Sequence, residues 1–373
     1  MHAQITRYKP TRPIFVLPLA RLRPGSYTYK LYDLLQKNHN VEIISFSVSS
    51  ISRLIRTLGK KPIIHLHWIE HKYTLGMANS LGRFSKLMIL VTVPVFLCLL
   101  LMLRLVAGCH IVTTLHNVIP HRTLFPTLEK CVFRIVLRMS SIVYFHTEGT
   151  KLRAKRLYNV PEVKFIKICH GNWVHEGSES YDTNRSRQIL GINQNAFVLC
   201  FFGRISPDKG LHLLIEAVSR VEIDVPVVLL VAGYPSNRNY VDNLIARSTK
   251  VPSSTRVLFY PRWIPDSELP IFLGACDVGI VPYLQTSTPS SLLLFMSFAK
   301  PVIAPTLPEV KEFLGDSDCF LYDHPANLST VIERVSASKE NLPEIGKRAF
   351  RRALLFDWTK AAKSTYDSYL ELQ

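Results

Sequence analysis

The chain is short of acid, and its cysteines show no paired spacing. Only 28 aspartates and glutamates stand against 45 lysines and arginines, so 373 residues carry a formal net charge of +17. An excess of that size calls for an anionic partner: nucleic acid, an anionic membrane face or a polyanionic small molecule. No nucleic acid is expected, because zinc-finger spacing, an RNP-type motif and an arginine-rich arm are all missing. The cysteines (Cys98, Cys109, Cys131, Cys169, Cys200, Cys276 and Cys319) are odd in number, include no C-x-x-C pair and sit mostly in apolar runs. That excludes a disulfide framework and a cysteine zinc site, and it suits free thiols in a reducing compartment. Solenoid repeats and low-complexity tracts are absent too. Met1 to Pro13 is polar and basic with no apolar core behind it, so it does not read as a signal peptide.

One long apolar run is present. Leu87 to Leu103 (LMILVTVPVFLCLLLML) has 17 residues without a charge, flanked by Lys86 and Arg104 and interrupted by Pro94. A bilayer span needs about 20 residues, and a span here would divide one strand series between two sides of a membrane. A buried core helix and a helix lying in or dipping into a membrane surface both remain open. The cluster Lys151, Arg153, Lys155 and Arg156 reads either as a solvated helix face or as a contact for anionic headgroups.

Short apolar strands alternate with helical stretches. Pro13–Ala20, Val41–Phe46, Ile63–Trp68, Ile111–Leu115, Ile142–Phe145 and Val163–Ile168 form a first series. Val198–Phe202, Val227–Ala232, Arg256–Tyr260, Asp277–Pro282 and Pro301–Ala304 form a second. Wholly apolar strands between helices mean parallel sheets covered on both faces. The fold class is therefore α/β, with two Rossmann-like, doubly wound domains facing a cleft, and ligands expected at the carboxyl ends of the strands. The domains are expected at residues 1–175 and 191–350, with a polar linker at 176–190 and a last helix, 351–373, packing back on the first domain.

The strongest local signal is FFGRISPDKGLHLLIEAV, Phe201 to Val218: a strand ending at Gly203, then Arg204 and Lys209, then a helix starting near Gly210. Two cations at a helix N-terminus suit an anion. With YPRWIPDSELPIFLGACDVGIVPY (Tyr260 to Tyr283) and FMSFAKPVIAP (Phe295 to Pro305), this string resembles the donor domain of retaining glycosyltransferases of family 4, which have the GT-B fold. The resemblance covers nearly the whole chain. It implies that Arg204 and Lys209 hold the donor diphosphate and stabilise charge on the leaving group, so no metal or other cofactor is expected.

The family's paired glutamates fall here on Thr286 and Leu294, which cannot act as carboxylates. The loop instead reads QTSTPSSLLL, in which Ser287, Thr288, Ser290 and Ser291 offer hydroxyls to a phosphate or sugar; a plain helix cap is the alternative. By the same resemblance His116 contacts the donor sugar near the reacting carbon, and His170 lines the donor or acceptor site or serves a hinge. Arg21, Gly25 and Tyr27, with Asn117 and His121, are assigned to the acceptor side. His65 and His67 alternate on one strand, but a third metal ligand is not near in sequence. Trp358 is expected to anchor the last helix by packing.

These readings converge on hexosyl transfer from a nucleotide-diphosphate sugar to a lipid-linked saccharide or polysaccharide hydroxyl, with retention, in cell-surface glycan biosynthesis. The enzyme is expected in the cytoplasm, held peripherally at the anionic inner face of the plasma membrane. A non-catalytic nucleotide-sugar-binding or scaffold member of the same fold is the alternative, and inversion with His116 or His65 as base is a third course.

Overall fold

The computed structural model describes residues 12–20, 22–23, 25–44, 60–74, 83–119, 125–160, 164–174, 181–315 and 319–373. The chain divides into two compact units, one of residues 1–171 with 357–373 and one of residues 172–356.

The first unit runs β1 (Ile14–Leu19), α1 (Tyr27–Asn38), β2 (Val41–Ile43), β3 (Ile63–His67), α2 (Glu70–Tyr73), α3 (Arg83–Leu105), β4 (His110–Thr114), α4 (Pro126–Met139), β5 (Ile142–Phe145), α5 (Glu148–Tyr158) and β6 (Lys164–Lys167), and adds a C-terminal helix, Trp358–Leu370. Its strands pair in parallel in the order β2-β1-β3-β4-β5-β6. The order turns back between β1 and β3, and the crevice at such a switch point lies beyond the strands' carboxyl ends.

One sheet face is covered by α3, α4 and α5 through a shared apolar cluster, and the other by α1 and the C-terminal helix. That last helix is tied down by polar contacts as well. Its Tyr369 hydroxyl bonds Nδ1 of buried His65 at 2.7 Å, its Ser368 hydroxyl bonds the Tyr144 hydroxyl, and Gly171 lies so close under Trp358 that a β-carbon would come within 1.9 Å of the indole.

The apolar run resolves into α3. One stripe, Ile89, Val93, Phe96 and Leu100, is buried against the sheet, while Leu87, Leu90, Val91, Val95, Leu99, Leu101, Met102 and Leu105 are exposed. A helix packed lengthwise on its own sheet by this stripe is not a core helix buried on all sides. By length and composition alone it is long and apolar enough to cross a membrane.

The second unit runs α6 (Thr183–Ile189), β7 (Phe197–Phe202), α7 (Leu211–Val218), β8 (Val227–Ala232), α8 (Arg238–Ser248), β9 (Thr255–Tyr260), α9 (Leu269–Ala275), β10 (Val278–Ile280), α10 (Ser290–Ser297), β11 (Val302–Pro305), α11 (Pro308–Leu314), β12 (Phe320–Tyr322), α12 (Leu328–Ala337) and α13 (Leu342–Ala353). Its parallel strand order, β12-β11-β10-β7-β8-β9, turns back between β7 and β10. Two sequence expectations change here. Residues 183–189, expected within a linker, form α6, because buried Arg187 ties this helix to Asp277 at 2.9 Å and to the carbonyls of Ala275, Gln194 and Ala196. The series of five expected strands gains a sixth, β12, a three-residue edge strand only partly buried and so without the apolar run that marks the others.

Gly233 ends β8 at φ 144°, and a β-carbon there would lie 1.7 Å from the carbonyl oxygen of Gly203. Gly191, at φ 64°, has nothing within 4 Å. Replacing Gly191 by Ala should therefore cost only the left-handed backbone strain, about 1–2 kcal/mol. Gly233→Ala must also push one backbone off another and should cost more than about 3 kcal/mol. Urea unfolding of the two variants measures the difference, and equal midpoints would contradict the close crossing.

Candidate donor and histidine sites

In the second unit the loops after β7 and β10 leave adjacent strands at the switch point. Five buried apolar residues and the half-buried Phe202 carry β7 up to Gly203, whose φ of 134° favours glycine. A 3-10 turn, Pro207–Lys209, follows, and Gly210 (φ 68°) opens α7; a β-carbon on Gly210 would stand 1.9 Å from the Pro282 carbonyl. The β10 loop is thus pressed against the β7 loop, and Leu284 N–H donates to the Asp208 carbonyl at 3.2 Å.

Arg204 and Lys209 converge on one carboxylate oxygen. Arg204 Nη2 is 3.8 Å and Lys209 Nζ 3.9 Å from Asp208 Oδ2, while Asp208 Oδ1 accepts the Ser206 hydroxyl at 2.6 Å. The Lys209 ammonium sits 4.1 Å from the centre of the Tyr283 ring. Burial, with Arg204 repulsion and against Asp208 attraction, draws Lys209 down to about 8. Tyr283 in turn bonds Ser291, whose hydroxyl lies 2.7 Å from where a Gly203 β-carbon would be. Arg204, Lys209, Gly203 and Ser291 therefore meet in one place. Asp208 and Tyr283 join them, neither singled out by the sequence; Tyr283 ended a quoted string, but its contact with Lys209 needs the β7–β10 pairing.

Ser287 is buried, Thr288 and Ser290 are half-buried, and Thr288 Oγ1 is buried with no hydrogen-bond partner among the described residues. The plain-cap alternative fails for α10, since its N-cap is Pro289 and makes no side-chain bond. The first N–H groups of a helix have no partner within it. Asp316-Ser317-Asp318, an Asp-x-Asp string passed over in the sequence reading, lies outside the described residues.

The first unit gathers histidines along its sheet's carboxyl edge. His67 ends β3, and His116, His146 and His170 follow β4, β5 and β6. Tyr27, the first residue of α1, lies with its ring 5.0 Å from His116, 5.5 Å from His146 and 5.0 Å from His170. A buried chain of hydrogen bonds leads to His116: the Tyr32 hydroxyl bonds His65 Nδ1 and His67 Nε2, both at 2.8 Å, and His67 Nδ1 bonds His116 Nε2 at 2.9 Å. His65 Nε2 bonds the Thr114 hydroxyl at 2.7 Å. Burial holds these imidazoles well below their usual range, so they are neutral at pH 7. In a neutral chain one proton lies between His67 and His116, and the ring that donates it fixes the tautomer of both. Trp68, at the strained φ of 49°, stacks on His116 at 4.2 Å.

His170 thus stands with His116, His146 and Tyr27 in the first unit, its Nδ1–H donating to the Gly171 carbonyl at 2.8 Å. Gly25 has φ 80° just before α1, and Asn117 is half-buried beside His116. Arg21 and His121 lie outside the described residues. The sequence reading passed over His146, although its context, a four-residue apolar strand followed at once by histidine, repeats that of His116.

Lys209 yields a pH prediction. A diphosphate seated beside Lys209 would pair with its charged form, which the empty site loses as pH rises through about 8, so affinity for a nucleoside diphosphate should fall above that pH. Lys209→Arg keeps its charge and should flatten the profile. Lys209→Ala should lose about 1.5–3 kcal/mol, roughly ten- to a hundredfold in affinity. Titration calorimetry from pH 6.5 to about 9.5 reads all three, and a flat wild-type profile would sink the assignment.

Comparison with known proteins bears on both units. The family described as Glycosyl transferases group 1 matches residues 182–352. A GDP-mannose:glycolipid 4-beta-D-mannosyltransferase of Xanthomonas campestris pv. campestris is 25% identical over 95% of this chain and 90% of its own. Among solved structures, Anabaena HepE in complex with UDP and glucose superposes with a TM-score of 0.65 at 16% identity, covering 96% of this chain and 100% of that one. WaaG, a glycosyltransferase involved in lipopolysaccharide biosynthesis, does so with a TM-score of 0.63 at 12% identity, covering 95% and 99%. Residues 182–352 are thus a glycosyl transferases group 1 domain in a chain of the GT-B fold, and the protein is a glycosyltransferase.

Proposed function

We propose that the protein transfers a mannosyl residue from GDP-mannose to a hydroxyl of a lipid-linked saccharide, in the making of a cell-surface glycan. The convergence of Arg204 and Lys209 beside one carboxylate carries this reading. A diphosphate that displaces Asp208 from those cations finds two positive charges already held together, and it needs them most as its bond to the sugar breaks. Ser287, Thr288, Ser290, Ser291 and the first N–H groups of α10 supply further donors. With two cations in this role, no metal is required. The choice of sugar and acceptor leans on the mannosyltransferase similar over nearly the whole chain.

The family 4 resemblance implies retention. A specific observation favours inversion: that relative's name gives a β-linked product from GDP-mannose, a donor whose mannosyl group is α-linked. The first unit also supplies neutral imidazoles, which an inverting transfer uses as base and a retaining one does not need. Inversion is the reading taken here. The one-bond C–H coupling at the anomeric carbon of the product decides it, with an α-mannoside sinking inversion. Stabilisation is the test of the donor: GDP-mannose at a hundred times its dissociation constant should add about 2.7 kcal/mol. No shift in melting temperature with GDP-mannose, beside a shift with another nucleotide sugar, would change the donor.

The working place proposed is the cytoplasmic face of an anionic membrane. The seven cysteines are free, which suits a reducing compartment. Helix α3 packs beside α4, and α4 beside α5; the exposed residues of α4 and α5 include Lys130, Arg134, Arg138, Lys155 and Arg156 with Ile135 and Leu152. Each cation near an anionic surface contributes about 1 kcal/mol, and buried apolar area about 25 cal/mol per Å². The protein should sediment with vesicles containing phosphatidylglycerol. Salt should weaken that binding, and Leu90→Glu with Val95→Glu should abolish it. Equal recovery with and without vesicles would remove the membrane from this reading.

A further inference from the structure

His146 shares with His170 an Nδ1–H held by a backbone carbonyl, and adds a buried Nε2 without a partner among the described residues. Its Nδ1 lies 2.9 Å from the carbonyl oxygen of Ile168. A carbonyl only accepts, so the neutral ring carries its proton on Nδ1 and leaves Nε2 as a bare lone pair. Nε2 is buried and has no hydrogen-bond partner among the described residues. His65 and His67, by contrast, have both ring nitrogens engaged, and His116 has its Nε2 bonded to His67. An acceptor atom buried without a donor costs about 1–3 kcal/mol, so it calls for a partner from outside the chain: a water, an ion or a ligand hydroxyl.

The position keeps the ring unprotonated, with its Nε2 lone pair open at pH 7. His146 follows β5 directly and precedes Thr147, the N-cap of α5. The positive end of that helix disfavours a second proton on the ring. Burial acts in the same direction and holds the group down to about 4. The ring faces His116 at 5.6 Å, His170 at 5.3 Å and Tyr27 at 5.5 Å, groups from the loops after β4 and β6 and from α1. A hydroxyl brought to this edge meets neutral rings, of which His146 has a free lone pair fixed in place by the backbone.

We propose that Nε2 of His146 takes the proton of the acceptor hydroxyl during transfer; this rests on the inverting reading above. The acceptor oxygen forms its bond to the anomeric carbon as its O–H bond breaks. The bond from that carbon to the diphosphate oxygen breaks, and its electron pair leaves on GDP. The proton rests on Nε2 as an imidazolium and passes to solvent once product has left.

Two measurements test it. The first uses the free wild-type protein: long-range ¹⁵N–¹H correlation at pH 7, with the ring assigned through bonds, should show the proton of His146 on Nδ1 and none on Nε2. A proton on Nε2, or a charged ring, overturns the proposal. The second follows GDP-mannose turnover with water or azide as nucleophile in wild type and His146→Gln. Hydrolysis should fall by about a hundredfold or more, while the melting shift with GDP-mannose stays. Azide has no proton to lose, so it should restore turnover in the variant to within about tenfold of wild type with azide, a gain that damage to the fold does not produce. Unchanged hydrolysis in the variant, or no azide rescue with the melting shift intact, overturns the proposal. Wild type without any GDP-mannose melting shift tells against the donor reading instead, and the tautomer then judges His146 alone.

Discussion

Two cations are held side by side on a partly buried loop, and that is the constraint the second unit is built around. Like charges brought together in a partly dry place repel, and burial together with Arg204 pulls the Lys209 ammonium towards losing its proton. Left alone, Arg204 and Lys209 would swing apart or Lys209 would lose its proton. Asp208 prevents both, by attracting each cation from within 4 Å. Its hold is partial, because burial still draws Lys209 down from the ordinary lysine range to about 8. A site tuned in this way is occupied by its own carboxylate when empty, and it favours a ligand carrying more negative charge than one carboxylate. Closing the β7 loop on the β10 loop needs Gly210, where a β-carbon would strike the Pro282 carbonyl, and Gly203, where one would press on the Ser291 hydroxyl; Gly233 lets the end of β8 pass the Gly203 carbonyl.

The first unit solves a different problem with the same sheet geometry. Parallel strands end side by side, so one residue placed just past each strand end joins a row. Here four neighbouring strands contribute His67, His116, His146 and His170 to that row, with Tyr27 against three of the rings. Packed imidazoles in a dry place stay neutral, and neutral rings offer donors and lone pairs according to tautomer. Backbone carbonyls set the tautomer of His146 and His170, whereas side chains set that of His116. The cluster is therefore a set of fixed donors and acceptors, not a charged patch, and suits the uncharged hydroxyls of a sugar.

What the sequence reveals follows from how local each cause is. All the strands but β12, a short and only partly buried edge strand, are legible because burial on both faces demands apolar runs, and the β7 loop is legible because Gly203, Arg204, Lys209 and Gly210 stand within eight residues of one another. Helix α6 is not legible, because its anchor is Arg187 reaching Asp277, 90 residues away. Tyr283 and Asp208 are invisible for the same reason: their importance comes from β10 pairing with β7. His146 looks like any single histidine until β4, β5 and β6 are laid beside one another. The missing glutamates, at Thr286 and Leu294, were legible as an absence, but not what fills their place. Leu294 goes into the apolar core, and Thr286 is buried in the β10 loop.

Helix α3 shows how one apolar run can serve two surfaces. Packing against the sheet needs only the stripe at Ile89, Val93, Phe96 and Leu100. A soluble helix satisfied by such a stripe carries polar residues on its other side, and this one carries leucine, valine and methionine instead. Exposed apolar side chains in such a row are unfavourable in water, and among the described residues they stay exposed. Pro94 breaks one backbone hydrogen bond within the helix, a cost that lengthwise packing on the sheet offsets but an isolated span does not. The sequence therefore fits a helix that belongs to the sheet on one side and to an apolar phase on the other.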